Sequence, residues 1–138
     1  MPVAHFHLSA DTFTAEQESA LLRQASKTYA RVLNSPIDRV RVFLVHYPPS
    51  SIAVAGELVS DRGMVAPYFT AIVLAGRPAE QRHELLSELT SLLVEILGID
   101  RTHVRGQIIE VSPENWGIAG EPASGVRATE IAERASTV

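Results

Sequence analysis

Hydrophobic positions along the chain switch between a strand-like and a helical period, twice over. Val3 to Leu8 is a short run of β-branched, aromatic and apolar residues broken by Ser9-Ala10-Asp11-Thr12, which predicts a strand. Leu21, Leu22, Ala25, Tyr29 and Val32 then recur at helical spacing. They predict an amphipathic helix over 15–33, opened by the capping box Thr14-Ala15-Glu16-Gln17 and ended by Asn34-Ser35-Pro36. A second strand follows over 40–47, with Val40, Val42 and Leu44 on one face, stopped by Pro48-Pro49-Ser50-Ser51. The same order returns as a strand over 68–74, a helix over 80–97 closed by Gly98, and a strand over 104–111 closed by Pro113. The small, polar end of the chain predicts a surface tail with one short helix at 128–135.

The two halves also match residue for residue at one offset of 64 positions. Ala15-Glu16-Gln17 returns as Ala79-Glu80-Gln81, Leu21-Leu22 as Leu85-Leu86, Val40-Arg41 as Val104-Arg105, and Ala55-Gly56-Glu57 as Ala119-Gly120-Glu121. A shared offset over matching strand-helix-strand patterns indicates an internal repeat. The organisation is one domain: repeat 1 over 2–60, a linker over 61–67, repeat 2 over 68–124 and a tail over 125–138. In each half two strands joined by a helix pair in parallel through a right-handed crossover. The expected fold is therefore α/β (α+β in some schemes): tandem β-α-β units forming a four-stranded, mainly parallel sheet with two helices on one face. The other face would lie open. Phe43, Val45, Ile108 and Val111 make the strands apolar on both sides, so that face is expected to pack against other subunits.

Composition narrows the chemistry. With 46% apolar and 20% charged residues in 138, the chain has the balance of a globular domain. A net charge of −4 does not attract a phosphate backbone, so nucleic acid is not an expected partner. The absence of cysteine removes disulfides, thiolate catalysis and thiolate metal sites. His5, His7, His46, His83 and His103 form no recognised metal spacing, so no metal is expected. No apolar run is long enough to span a membrane, and the start of the chain lacks the basic and apolar regions of a signal peptide. A soluble, cytoplasmic protein is the expectation.

Pro2 directly after Met1, Ser35-Pro36…Val40-Arg41-Val42, Ile52-Ala53-Val54-Ala55-Gly56-Glu57, Arg77-Pro78-Ala79-Glu80-Gln81 and Asn115-Trp116-Gly117-Ile118-Ala119-Gly120-Glu121 together resemble the tautomerase superfamily over residues 2–124. Within it the Ala-Gly-Glu motifs are similar to 4-oxalocrotonate tautomerase, and the Asp38 and Trp116 positions to the malonate semialdehyde decarboxylase group. The resemblance implies fused βαβ units assembling as a homotrimer, and catalysis without cofactor or metal by an N-terminal proline exposed on removal of Met1. It implies a small carboxylate substrate and a keto-enol tautomerase of 2-oxo acids such as phenylpyruvate. A malonate semialdehyde decarboxylase-like enzyme and a non-catalytic oligomeric relative stand as alternatives.

Each candidate has two readings. Pro2 is a general base, or a proline that starts an edge strand. Arg77, at the resemblance's carboxylate-binding place, grips an anion with its planar fork, or is a solvated loop arginine. Arg41 and Arg105 both fall at the family's second arginine, or pair structurally with the repeated Glu57 and Glu121, and Arg39 is a further candidate from the same strand edge. Asp38 is a catalytic acid of the decarboxylase type, or caps a turn. Trp116, with Ile52 at the same place in the first repeat, lines the pocket or packs in a core. Glu114 is an acid at the site, or solvated. Phe13 stands where repeat 1 would need its own copy of Arg77, and Leu74 and Ala79 stand where dehalogenases and decarboxylases would carry further arginines.

Overall fold

A computed structural model describes residues 2–136. Strand β1 (Val3–Ser9) leads into helix α1 (Ala15–Leu33), and β2 (Arg41–Tyr47) follows. A small hairpin of β3 (Ala53–Val54) and β4 (Glu57–Leu58) ends in one helical turn, α2 (Val59–Arg62). The second half repeats the series as β5 (Tyr68–Leu74), α3 (Ala79–Leu97), β6 (Arg105–Val111), the hairpin β7 (Gly117–Ile118) and β8 (Glu121–Pro122), and α4 (Ala123–Val126). A last helix, α5 (Ala128–Ser136), has no counterpart in the first half.

The sheet order is β2-β1-β5-β6. The pairs β1/β2 and β5/β6 are parallel, and the central pair β1/β5 is antiparallel. This is the expected four-stranded, mainly parallel sheet, with α1 and α3 packed side by side on one face. Phe6, Leu8, Phe69 and Val73 of the central strands meet Leu21, Ala25 and Tyr29 of α1 and Leu85, Leu89 and Leu93 of α3 in one core. Each large side chain buried there stabilises the fold by roughly 1.5–3 kcal/mol.

The halves trade volume across the sheet. Ala4 lies opposite Val42, whereas Phe69 lies opposite Gly106. A Cβ on Gly106 would come 2.2 Å from Phe69 Cζ, so the large ring in one strand requires the glycine in the next. The repeated Ala-Gly pairs have a backbone cause as well. Ala55 and Gly56 have φ of 54° and 80°, and Ala119 and Gly120 have 52° and 85°. Two successive left-handed residues make the tight turn of a two-residue hairpin. The sequence pattern carried these turns, but strands of two residues are too short to show a period.

The helix starts are likewise explained locally. Thr14 Oγ1 accepts from Gln17 N–H at 3.1 Å, and Gln17 Oε1 accepts from Thr14 N–H at 2.9 Å. Gln17 also donates to Ile96 O, and its repeat-2 counterpart Gln81 donates to Val32 O at 2.9 Å, so each glutamine ties its helix to the end of the other. Helix α3 has Pro78 at its N-cap and no side-chain cap. Gln81 Oε1 is therefore released from capping and accepts from Arg77 instead, at 3.1 Å.

The outer face of the sheet carries an aromatic ladder. His5 stacks on Phe43 at 5.3 Å between ring centres, and His7 stacks on Tyr47 at 5.7 Å and Tyr68 at 5.3 Å. Phe43 and Tyr68 remain 49% and 39% exposed, so this face has no cover within the protomer. His7 also hydrogen-bonds Tyr47 Oη at 2.7 Å, and burial, then the charge of His5, hold its pKa below the ordinary 6.5.

Candidate active site

The antiparallel β1/β5 pairing sets the site. It places the first residues of β1 beside the last residues of β5, with Val3 opposite Ile72. Pro2, just ahead of β1, is fully buried, and its carbonyl accepts from Arg41 N–H at 2.9 Å. Arg77 follows β5 and so arrives at the same end of the sheet. Pro2 and Arg77, 75 positions apart, line one narrow cavity of about 20 Å³, roughly the room for one water.

Arg39, Arg127, Glu130 and Arg134 complete the charged part of that wall. Four guanidiniums thus face one carboxylate beside a buried proline, an arrangement suited to an anion. Arg77 donates from Nη1 to Leu33 O at 2.8 Å and to Gln81 Oε1 at 3.1 Å. Burial, then the charge of Arg134, push its pKa down to about 10, against the opposing effects of Tyr29 and Glu130. It still carries its proton at neutral pH. Arg39 holds Glu130 with two parallel 2.9 Å hydrogen bonds. That grip, before any other influence, lowers the Glu130 pKa and raises that of Arg39.

A second cavity of about 390 Å³ lies next to the first and shares Arg39 and Arg127 with it. Asp38, Arg41 and Trp116 form the rest of its charged and aromatic lining, beside Val3. Trp116 comes from the hairpin of repeat 2 yet stands at the Pro2 end, so both repeats contribute. Asp38 and Arg41 are exposed there, and Arg41 donates to Arg39 O at 2.9 Å.

The remaining sequence candidates lie elsewhere in the protomer. Arg105 N–H bonds Pro67 O at 3.2 Å, so Arg105 sits at the opposite end of the sheet. Ile52 lines a cavity there with Pro67, Tyr47 and Tyr68. Glu114, exposed in the turn Pro113–Asn115, lines neither cavity at the Pro2 end. Glu110 pairs with Arg82 at 3.6 Å. Three side chains at the Pro2 cavity escaped the sequence reading: Arg127, Glu130 and Arg134. They belong to the tail, where repeat matching has nothing to align, and only their spacing on one short helical stretch hinted at a shared face.

The family model "Tautomerase enzyme" matches residues 2–62 and again 67–124. The 2-hydroxymuconate tautomerase of Comamonas testosteroni is 40% identical over 57 residues, which cover 90% of that protein and 41% of this chain. Among solved structures, native fused 4-OT superposes with a TM-score of 0.85 at 24% identity, covering 91% of this chain and 98% of that one. The Q0 fused 4-OT wild type symmetric trimer superposes with a TM-score of 0.81 at 25% identity, covering 90% and 98%.

Proposed function

Because this chain belongs to the tautomerase enzyme family, with both repeats matching, we propose that it interconverts the keto and enol forms of a small 2-oxo acid, with Pro2 as the base. The observation that supports this reading is the burial of Pro2 in a cavity walled by Arg39, Arg77, Arg127 and Arg134. Once Met1 is removed, Pro2 carries a secondary amine. Burial and neighbouring cations both disfavour its protonated form and lower its pKa toward the working pH. The amine takes the enol hydroxyl proton and returns a proton to the adjacent carbon, and the reverse in the other direction. Arg77 holds the substrate carboxylate, and the guanidinium wall offsets the negative charge that develops on oxygen. Trp116 covers the body of the substrate in the adjoining cavity and keeps water from the amine.

Assembly belongs to the same reading. The aromatic ladder on the open sheet face is suited to burial between copies, and the similarity to a solved symmetric trimer makes a homotrimer the expected state. Arg105 and Ile52, at the Pro67 end of the sheet, would reach a Pro2 cavity only across an interface. Sedimentation at micromolar concentration is expected to give three protomers; a stable monomer would remove this part.

Asp38 beside Trp116 and Arg41 is the observation that favours a second reading, decarboxylation of a 3-oxo acid. Release of CO₂ from malonate semialdehyde by the processed protein, abolished in Asp38→Asn, would select it.

The principal test compares processed protein with protein that keeps Met1, each verified by intact mass. Retention turns the amine into an amide and leaves the chain otherwise unchanged. Ketonisation of phenylenolpyruvate is expected to fall by at least about a hundredfold in kcat/KM. Near-equal values would remove Pro2 as the base.

A further inference from the structure

Arg127 stands at the junction between α4 and α5. Its backbone N–H bonds Ala123 O at 2.7 Å, while its own carbonyl accepts from Ile131 N–H at 3.0 Å, so the backbone on both sides fixes where the side chain starts. Among the described residues only Arg127 and Arg39 line both the Pro2 cavity and the Trp116 cavity. These two arginines stand between the buried proline and the Trp116 cavity.

They are not equivalent. Arg39 is engaged in a two-pronged pair with Glu130. Arg77 gives one nitrogen to Leu33 O and Gln81. The Nε–H of Arg127 is buried and has no hydrogen-bond acceptor among the described residues. Buried donors are almost always satisfied, so one left open at a cavity wall points to an acceptor that arrives from outside. A guanidinium Nε–H with its neighbouring Nη–H makes the fork that matches a carboxylate. Residue 127 also lies beyond the family-matched segments, which end at 124, so the residue belongs to what the tail adds.

We propose that Arg127 is a specificity-determining residue that grips the carboxylate of the incoming 2-oxo acid at the wall between the Trp116 cavity and Pro2. This inference deepens the tautomerase reading and rests on it for the substrate class. It gives the tail a role that the repeats cannot supply: an anion in the Trp116 cavity meets Arg127 where that cavity adjoins the Pro2 cavity.

The test uses benzoylformate, a 2-oxo acid with no hydrogen on the carbon next to its oxo group. It binds without being turned over, so the result does not depend on catalysis. Calorimetry on processed protein compares benzoylformate with its uncharged amide, benzoylformamide. Arg127→Gln is expected to weaken benzoylformate at least about tenfold, as loss of a charged hydrogen bond does, and to leave the amide unaffected. Arg127→Lys keeps the charge and stem but not the fork, and is expected to fall between. Arg101→Gln, the same charge loss at a site bonded to Ser87 and Ser91 far along α3, is expected to leave both affinities unchanged. Helical circular dichroism accompanies each variant. Equal benzoylformate affinity in Arg127→Gln and the parent overturns the proposal, as does an equal loss for the amide, or no binding by the parent. If Met1-retaining and processed proteins turn over alike while Arg127→Gln still loses benzoylformate, the base assignment fails and Arg127 stands.

Discussion

The Pro2 end and the Pro67 end of the sheet are the same construction with different chemistry. Each proline is buried just ahead of a strand, and each carbonyl accepts from the first residue of the neighbouring parallel strand, Arg41 in one case and Arg105 in the other. Around Pro2 stand four arginines, Glu130 and, one cavity over, Trp116. Around Pro67 stand Leu8, Tyr47, Ile52, Val59, Val65, Tyr68 and the imidazole of His7, with no arginine, lysine or carboxylate among the described residues in a cavity of about 390 Å³. Phe13 occupies the place of Arg77 and packs against the core. Pro67 also lies inside the chain and can never offer an amine. Duplication supplied two scaffolds, and only one combines a residue able to become a free amine with guanidiniums to hold an anion.

The largest expected effect tests that asymmetry at its root: blocking the Pro2 amine by retained Met1 costs at least about a hundredfold in kcat/KM. Next, Arg77→Ala is expected to lose roughly ten- to hundredfold in kcat/KM for a 2-oxo acid, the range for a lost hydrogen bond to a charged group. Trp116→Ala is expected to raise KM, while Ile52→Ala, in the Pro67 cavity, whose described lining holds no arginine, leaves steady-state kinetics unchanged. An equal effect at Ile52 would show that both ends bind substrate. The paired volumes give a stability test of the same contrast. Gly106→Ala is expected to destabilise the fold by about 1–3 kcal/mol through overpacking on Phe69, measured by urea unfolding, whereas Val42→Ala at the matching position makes a small cavity beside Ala4. The smallest effect is acid sensitivity of the ladder. His7 has a folded pKa below its unfolded value, so as pH falls through about 6.5 the unfolded chain takes up the proton first and the folded state loses stability. His7→Gln is expected to flatten this dependence in urea unfolding between pH 7.5 and pH 5.5 (roughly one unit either side of the ordinary value).

Much of this contrast was legible in the residues. The helical stripes, the capping box at Thr14 and the strand pairs fix the fold, because burial and capping act locally. Arg77 and Trp116 stand out as repeat-2 residues whose repeat-1 counterparts, Phe13 and Ile52, are apolar. Harder to read was the partnership of Pro2 with Pro67. The helices and outer strands match at 64 positions, but β1 and β5 match at 65, because the loop before α1 holds one residue more than the loop before α3, with Asp11 in the left-handed region at φ 57°. A fixed offset therefore sets Pro2 against Ala66. That Arg77 lies beside Pro2 rather than Pro67 follows from the antiparallel centre of the sheet, a tertiary pairing that no local pattern encodes. The tail arginines were invisible for a related reason: a short exposed helix gives no burial signal, and its role depends on where it lands.

The central claim is that the guanidinium wall makes Pro2 a base near neutral pH. The most direct measurement is a ¹⁵N NMR titration of the Pro2 amine in processed, proline-labelled protein. The account predicts a pKa below the ordinary α-amine value of about 8, moving upward in Arg77→Ala as one nearby cation is removed. A pKa at or above the ordinary value, unchanged in Arg77→Ala, would contradict it.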